Sequence, residues 1–158
     1  MLQILLTTLL WSGAVGCGLM AGVYFAFSTF IMASLARIET SAGILAMQSI
    51  NEVILRSVFM PLFFGTSFVA AGAAAVALTE PTKSGALWIL GAGATYLVGM
   101  FLCTVVFNVP LNSKLKKADP RSVQGAETWD QYLRDWTRWN HIRTVSSAAS
   151  SILFFLAI

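Results

Sequence analysis

The residues of this chain that could take part in chemistry are polar side chains at the borders of long apolar segments. His141 and Arg143 lie at the start of the last such segment. An imidazole can act as a general base, a guanidinium can stabilise an anion, and a carboxamide can orient oxygen atoms. We therefore take His141 and Arg143 as catalytic candidates. The candidate binding residues are Tyr24, Asn51, Glu52, Asn108, Asn112, Trp136, Trp139 and Asn140.

Four segments without Asp, Glu, Lys or Arg must position these side chains, namely residues 2–36, 57–79, 84–113 and 144–158. Hydrophobic residues make up 57% of the chain and charged residues 11%, whereas soluble domains carry about 25% charged residues. A helix needs about 20 apolar residues to cross the hydrocarbon core of a bilayer. The composition therefore excludes a soluble globular enzyme and a disordered chain.

The segments predict an all-α integral membrane protein with a single domain over residues 1–158. We expect a four-helix bundle with spans at about 2–35, 43–79, 84–113 and 137–158. Residues 40–56 are expected to run directly into the second span, and Pro61 should bend that helix because it cannot bond to the carbonyl of Ser57. The helical spacing of Trp129, Leu133 and Trp136 predicts an extra surface helix before the last span.

The basic residues predict the orientation. Seven of the ten Lys and Arg residues lie between Lys114 and Arg143, and such segments stay in the cytoplasm. We therefore expect loops 36–56 and 114–143 to be cytoplasmic, both termini to lie outside, and the protein to reside in a bacterial inner membrane. No nucleic-acid motif accompanies these charges, so the expected partners are the lipid bilayer and a hydrophobic small molecule. The sequence does not predict the oligomeric state.

The polar residues converge at one depth in this topology. The start of the second span, the end of the third and the start of the fourth all lie on the cytoplasmic side, so their side chains can meet in one cavity of the inner leaflet. Each residue also has a simpler interpretation. Asn108 and Asn112 could bond neighbouring helices, the tryptophans could form an interfacial belt, and His141 could be an interfacial polar residue.

Metal chemistry is disfavoured by composition. One His and two isolated Cys, Cys17 and Cys103, cannot form a tetrahedral zinc set or a two-His iron site. No nucleophile triad, phosphate loop or dinucleotide fingerprint is present. A reaction that needs neither a metal nor elaborate acid-base groups is therefore easier to support than hydrolysis.

Four segments resemble the anthrone oxygenase family of small four-helix membrane proteins. They are GLMAGVYFAFSTFIM (18–32), MQSINEVILRSVFMPLFFGT (47–66), FNVPLN (107–112) and WTRWNHIRT (136–144). The resemblance implies oxidation of polyketide anthrones to anthraquinones by molecular oxygen, with no established cofactor. The family's recurring polar positions correspond to Asn51, Asn108, Asn112, Trp139, Asn140, His141 and Arg143. Ala33 and Glu52 depart from the family's usual proline and basic residue.

The resulting hypothesis assigns a role to each polar group. His141 would remove a proton from a phenol or activated methylene, Arg143 would hold the resulting anion, and the asparagines would orient its oxygens. Two other classes of function stay open. The same cavity could hold a haem, with His141 as one axial ligand, or a quinone or lipid without catalysis. The chain could also be a small transporter or an accessory subunit.

Overall fold

The fold consists of helices joined by short turns. A computed structural model describes residues 2–79 and 85–158, and in these two ranges the chain forms five helices and no strand. The short loop 80–83 and the expected start of a span at residue 84 lie outside the described residues. The helices are α1 (Leu2–Ala26, continued by Phe27–Ile31 and Met32–Leu35), α2 (Thr40–Ile54), α3 (Phe59–Thr79), α4 (Ala86–Tyr96, Leu97–Leu102, Thr104–Asn108 and Val109–Lys116) and α5 (Val123–Leu156).

Three of these helices are long and apolar enough to cross a membrane, namely α1 over Gln3–Leu35, α3, and α4 over Ala86–Lys116. This agrees with an integral membrane protein. Helix α5 differs because its first half carries five charged residues, namely Glu127, Asp130, Arg134, Asp135 and Arg138. The fourth span at 137–158, and with it the count of four membrane helices, therefore stays a prediction.

The expected continuous helix over residues 43–79 is wrong, because the chain turns between Ile54 and Phe59. The Ser57 hydroxyl accepts a hydrogen bond from the Phe59 amide at 3.2 Å, at the start of the new helix. Pro61 lies in the first turn of α3, where a missing N–H is not needed and the proline ring meets no preceding helical carbonyl. In a continuous helix the Pro61 ring would clash with the Ser57 carbonyl, and bending would only reduce this clash. A break in the helix avoids it.

The expected separate surface helix is also wrong, because residues 123–156 form one helix. The Ser122 hydroxyl caps its start by accepting from the Gly125 amide at 2.9 Å. The aromatic stripe that predicted a helix is real, but Trp129, Tyr132 and Trp136 are buried. They form a second core with residues of α1, α2 and α4, namely Met32, Ile44, Met47 and Leu115. Folding of α2 against this stripe removes it from the surface.

Close helix contacts rely on small residues. Helix α5 lies along α1 and α4, and α3 packs against the same two helices. At the α3–α4 contact, a Cβ on Gly93 would lie 2.9 Å from the Ala74 Cβ and 3.1 Å from the Ala70 carbonyl oxygen. Backbones can approach this closely only where side chains are absent or minimal. This packing fixes α4 beside α3 and so sets two walls of the site described next.

Candidate functional site

A cavity of about 210 Å³ lies where all five helices meet. We call it the inner cavity. Its walls are mainly aliphatic and aromatic, with a few polar groups on one side. The lining residues are Val23, Tyr24, Phe27, Met47, Ile50, Asn51, Ile54, Leu55, Phe59, Met60, Phe63, Phe64, Phe101, Thr104, Val105, Val109, Asn112, Trp136 and Arg143. An apolar pocket with a few polar groups is the usual form of a small-molecule site.

Arg143 is the charged group of this cavity. Its side chain is 4% exposed, and its guanidinium carbon lies 4.3 Å from the centre of the Tyr24 ring and 4.9 Å from that of Trp136. The faces of the two rings stabilise the cation, most strongly when water is excluded. Among the described residues the only ion pair is Glu52–Arg56, so no carboxylate in that part of the chain neutralises Arg143.

Arg143 also has a hydrogen-bond donor that no group in the described part of the chain accepts from. One terminal nitrogen, Nη2, donates to the Asn140 Oδ1 at 2.7 Å. The buried Nε has no hydrogen-bond partner in the described part of the chain. Leaving a charged donor unpaired in an apolar region is costly. A bound oxygen atom that accepts from Arg143 would remove this cost.

Asn140 holds Arg143 instead of lining the cavity. Its side chain is fully buried, and its Nδ2 donates to the Tyr24 carbonyl and to the Ser28 hydroxyl, both at 2.7 Å. The Ser28 hydroxyl in turn lies 3.0 Å from the Thr144 hydroxyl. Asn140 therefore ties α5 to α1 and orients the guanidinium. Its assignment as a substrate-binding residue is corrected to a positioning residue.

Two helices widen where they pass the cavity. In α1 the segment Phe27–Ile31 is π-helical, and in α4 the segments Leu97–Leu102 and Thr104–Asn108 are π-helical. Phe27 from the first segment and Phe101, Thr104 and Val105 from the others line the inner cavity. Such π segments occur frequently at functional sites. Hydropathy and helical spacing do not reveal them.

Tyr132 joins two of the predicted binding residues. Its hydroxyl donates to the Asn112 Oδ1 at 2.7 Å and accepts from the Asn51 Nδ2 at 3.4 Å. Burial raises the pKa of the Tyr132 phenol above its ordinary value, so the group is a neutral donor. Asn51 and Asn112 both line the cavity as predicted. Tyr132 is not among the predicted binding residues, although it shares a helical face with Trp129 and Trp136.

Asn108 and Trp139 do not line the cavity. Asn108 is fully buried, and its Nδ2 donates to the Trp136 carbonyl at 3.2 Å, which matches the interpretation as a bond between helices. Trp139 is partly exposed and stacks on Phe107 with ring centres 3.7 Å apart. Their assignment as substrate-binding residues is therefore corrected. Trp136 and Tyr24, in contrast, line the cavity and flank Arg143 as described above.

Glu52 lies outside the inner cavity. Its side chain is 70% exposed and its Oε1 is 3.6 Å from the Arg56 Nη2. It lines a neighbouring, more polar pocket instead. Direct contact between the Glu52 carboxylate and a ligand in the inner cavity is therefore not supported.

His141 does not reach the inner cavity either. Its side chain is exposed, and it is absent from the residues that line the cavity. Two positions along an α-helix rotate a side chain by about 200°, so His141 and Arg143 point to opposite flanks of α5. The prediction of His141 as a base in the cavity is wrong, and haem ligation there by His141 loses its basis. The described residues contain no cluster of three or more His, Cys, Asp or Glu that could hold a metal ion.

Comparison with known families agrees with the motifs. A family model described as anthrone oxygenase matches residues 53–153. This chain belongs to the anthrone oxygenase family. The matched range includes Arg143, Trp136 and Asn112, whereas Tyr24 and Asn51 precede it. Neither the curated proteins nor the solved structures that were compared give a match. Membership of the family supports an oxygenase-like function, and the resemblance inferred from the sequence is confirmed.

Proposed function

We propose that this protein is a membrane oxygenase that oxidises a hydrophobic phenolic or polyketide-type substrate, such as an anthrone, with molecular oxygen. The reaction takes place in the inner cavity, at the end of the molecule for which the basic residues predict a position in the cytoplasmic leaflet. The observation that carries the proposal is Arg143, a buried cation between two aromatic rings with an unpartnered Nε beside an apolar cavity.

The proposed chemistry begins with ionisation of the substrate. Loss of a proton from the methylene carbon of an anthrone, or from the hydroxyl of its enol form, gives an anion whose charge lies largely on oxygen. Arg143 stabilises this oxyanion, and fixed charges aimed at developing charge are a large source of catalysis. No His, Asp or Glu among the described residues lines the cavity. We therefore propose that lowering the pKa of the substrate itself takes the place of a strong base.

The electron balance needs no further reductant. The electron-rich anion reacts with oxygen at the methylene carbon to give a peroxide anion. This anion takes up one proton, equivalent to the one that the substrate released, and the resulting hydroperoxide loses water to leave a carbonyl group. The substrate loses two hydrogens and gains one oxygen atom, while the second oxygen atom leaves as water. The methylene group supplies all four electrons that reduce the oxygen molecule. For this reason we propose a reaction that needs no bound cofactor.

The cavity walls suit a flat aromatic substrate. Phe59 and Phe63 lie nearly parallel with ring centres 6.0 Å apart, and Phe63 and Phe101 with centres 5.4 Å apart. Aromatic pairs at such separations add to the gain from burial. Asn51 and Asn112 supply a carboxamide edge that can bond oxygen substituents of the rings.

Oxygen uptake by the purified protein in phosphatidylcholine vesicles tests this function. With anthrone as the probe, we expect one oxygen molecule consumed and one anthraquinone formed per anthrone, faster than in protein-free vesicles. The Phe63→Trp variant narrows the cavity and should slow the reaction. Phe68→Trp is the matched control, because Phe68 lies on the same helix and is 73% exposed. An uptake rate equal to that of empty vesicles would exclude the proposed activity.

A further inference from the structure

A second pocket adjoins the inner cavity. Its volume is about 720 Å³, and it lies between α2, the turn that follows it and the end of α4. We call it the outer pocket. The two spaces share one wall, formed by Asn51, Ile54, Leu55, Val109 and Asn112. A ligand that fills the inner cavity and passes this wall therefore enters the outer pocket.

The size of the inner cavity favours such an extension for a polycyclic ligand. An apolar protein cavity of about 150 Å³ accepts a benzene ring, so the 210 Å³ of the inner cavity hold little more than one ring with its substituent. An anthrone has three fused rings. One end of the ring system can lie against Arg143 while the other end extends past the shared wall into the outer pocket.

The outer pocket differs from the inner cavity in charge. Its lining includes Lys116 and Arg56 as cations and Glu52 as the one anion. Glu52 pairs with Arg56 at 3.6 Å. Within the described ranges Lys116 takes part in no ion pair, and Gln48 and Ser113 add polar groups to the same lining. The Lys116 ammonium is therefore available to an anion bound in this pocket.

We propose that the outer pocket binds an anionic substituent on the far end of the aromatic ligand, with Lys116 as the principal contact. The ligand class is then a polycyclic phenol or anthrone with a carboxylate or a similar acid group. Its ring oxygen lies at Arg143 and its acid group near Lys116. This inference rests on the proposed function for the position of the ring system, and it adds the substituent that the protein selects.

Binding of product analogues tests the inference without any turnover. The probes are anthraquinone and anthraquinone-2-carboxylate, added to the full chain in phosphatidylcholine vesicles. The readout is the saturable quenching of tryptophan fluorescence, since Trp136 lines the inner cavity. We expect Lys116→Gln to raise the Kd of the carboxylate by about threefold to tenfold, the range for a partly solvated charged contact. The Kd of anthraquinone should change by less than twofold.

Lys117→Gln is the matched control, because Lys117 is the next residue and is exposed but does not line the outer pocket. It should leave both Kd values unchanged. Equal effects of Lys116→Gln on both probes, equal effects of the two variants, or no saturable binding of either probe would overturn the inference. Phosphatidylglycerol can be added to the vesicles as a competitor of the carboxylate probe. If Lys116→Gln changed only this competition, the outer pocket would be assigned to a lipid headgroup, and the inference would also be overturned.

The two proposals can fail separately. If the protein binds the carboxylate with the expected dependence on Lys116 but consumes no oxygen with anthrone, the proposed role of the outer pocket stands and the oxygenase function is refuted. A protein that oxidises anthrone but shows no dependence on Lys116 retains the oxygenase function alone.

Discussion

Replacement of Arg143 by Gln removes the cation that the proposed reaction depends on. An oxyanion that accepts from the free Nε would place its charge about 4 Å from the guanidinium centre, where two unit charges attract by about 4 kcal/mol at an effective dielectric constant of 20. Loss of a single oxyanion donor costs about 2.7–4 kcal/mol in other enzymes. We therefore expect kcat for anthrone oxidation to fall by about 10²- to 10³-fold.

The Arg143→Lys variant separates charge from geometry. Lysine keeps the positive charge, but its compact ammonium cannot lie flat on two rings as the guanidinium does between Tyr24 and Trp136. It also cannot reproduce the fixed bond to Asn140. We expect a fall in kcat of about tenfold, between the wild type and Arg143→Gln, since the charge remains but is less well placed.

The assay is anthrone-dependent oxygen uptake in vesicles, corrected for the rate without protein. Arg138→Gln serves as the control, because Arg138 lies on the same helix and is exposed. Circular dichroism and thermal unfolding establish that each variant is folded. If folded Arg143→Gln retained a kcat within threefold of the wild type, the assignment of Arg143 as the anion-stabilising group would be refuted.

Three further predictions concern His141, the helix packing and Tyr132. His141→Gln should leave kcat and KM within twofold in the uptake assay, because its exposed side chain does not line the cavity; a hundredfold loss would restore it as the base. Gly93→Ala should lower the stability measured by thermal unfolding by about 1–3 kcal/mol through overpacking against α3, whereas Gly72→Ala, with open space around its Cβ, should not. Tyr132→Phe should raise KM severalfold with little change in kcat, since it releases the carboxamide of Asn112; an unchanged KM would contradict this.

The membrane character and the general place of the cavity follow from the sequence. Long charge-free segments leave few alternatives to helices in lipid. The topology brings the polar ends of three segments to one depth, and Asn51, Asn112 and Arg143 do line one cavity. Segregation of charge along the chain predicts a common depth for these residues, and that prediction was sufficient to group Asn51, Asn112 and Arg143 in one cavity.

The sequence does not predict how each helix is rotated about its own axis. Asn140, His141 and Arg143 lie within one helical turn, yet the first is buried, the second is exposed and the third lines the cavity. Only the packing of α5 against α1, α2 and α4 decides which flank turns inward. The π segments of α1 and α4 also change the directions of the side chains on those two helices. No periodicity of side chains in the sequence marks these segments.

The sequence also does not predict whether the helix before Pro61 bends or breaks. A proline predicts that a helix is disturbed, but bending and breaking both relieve the clash with the Ser57 carbonyl. The chain breaks because Ser57 can cap the next helix and because α2 then packs on the aromatic face of α5. Helical spacing alone predicts a surface helix here, because it does not show that α2 folds onto this face.

The ionisation of a bound ligand tests the central claim most directly, that Arg143 stabilises an oxyanion in the inner cavity. A hydroxyanthraquinone changes colour when its phenol ionises, so its absorbance can be titrated with pH while it is bound to the protein in vesicles. We expect the wild type to lower the pKa of the bound phenol by about one unit or more relative to Arg143→Gln, equivalent to about 1.4 kcal/mol or more of preference for the anion. Equal pKa values of the phenol in the two proteins, with the ligand bound to both, would contradict the account.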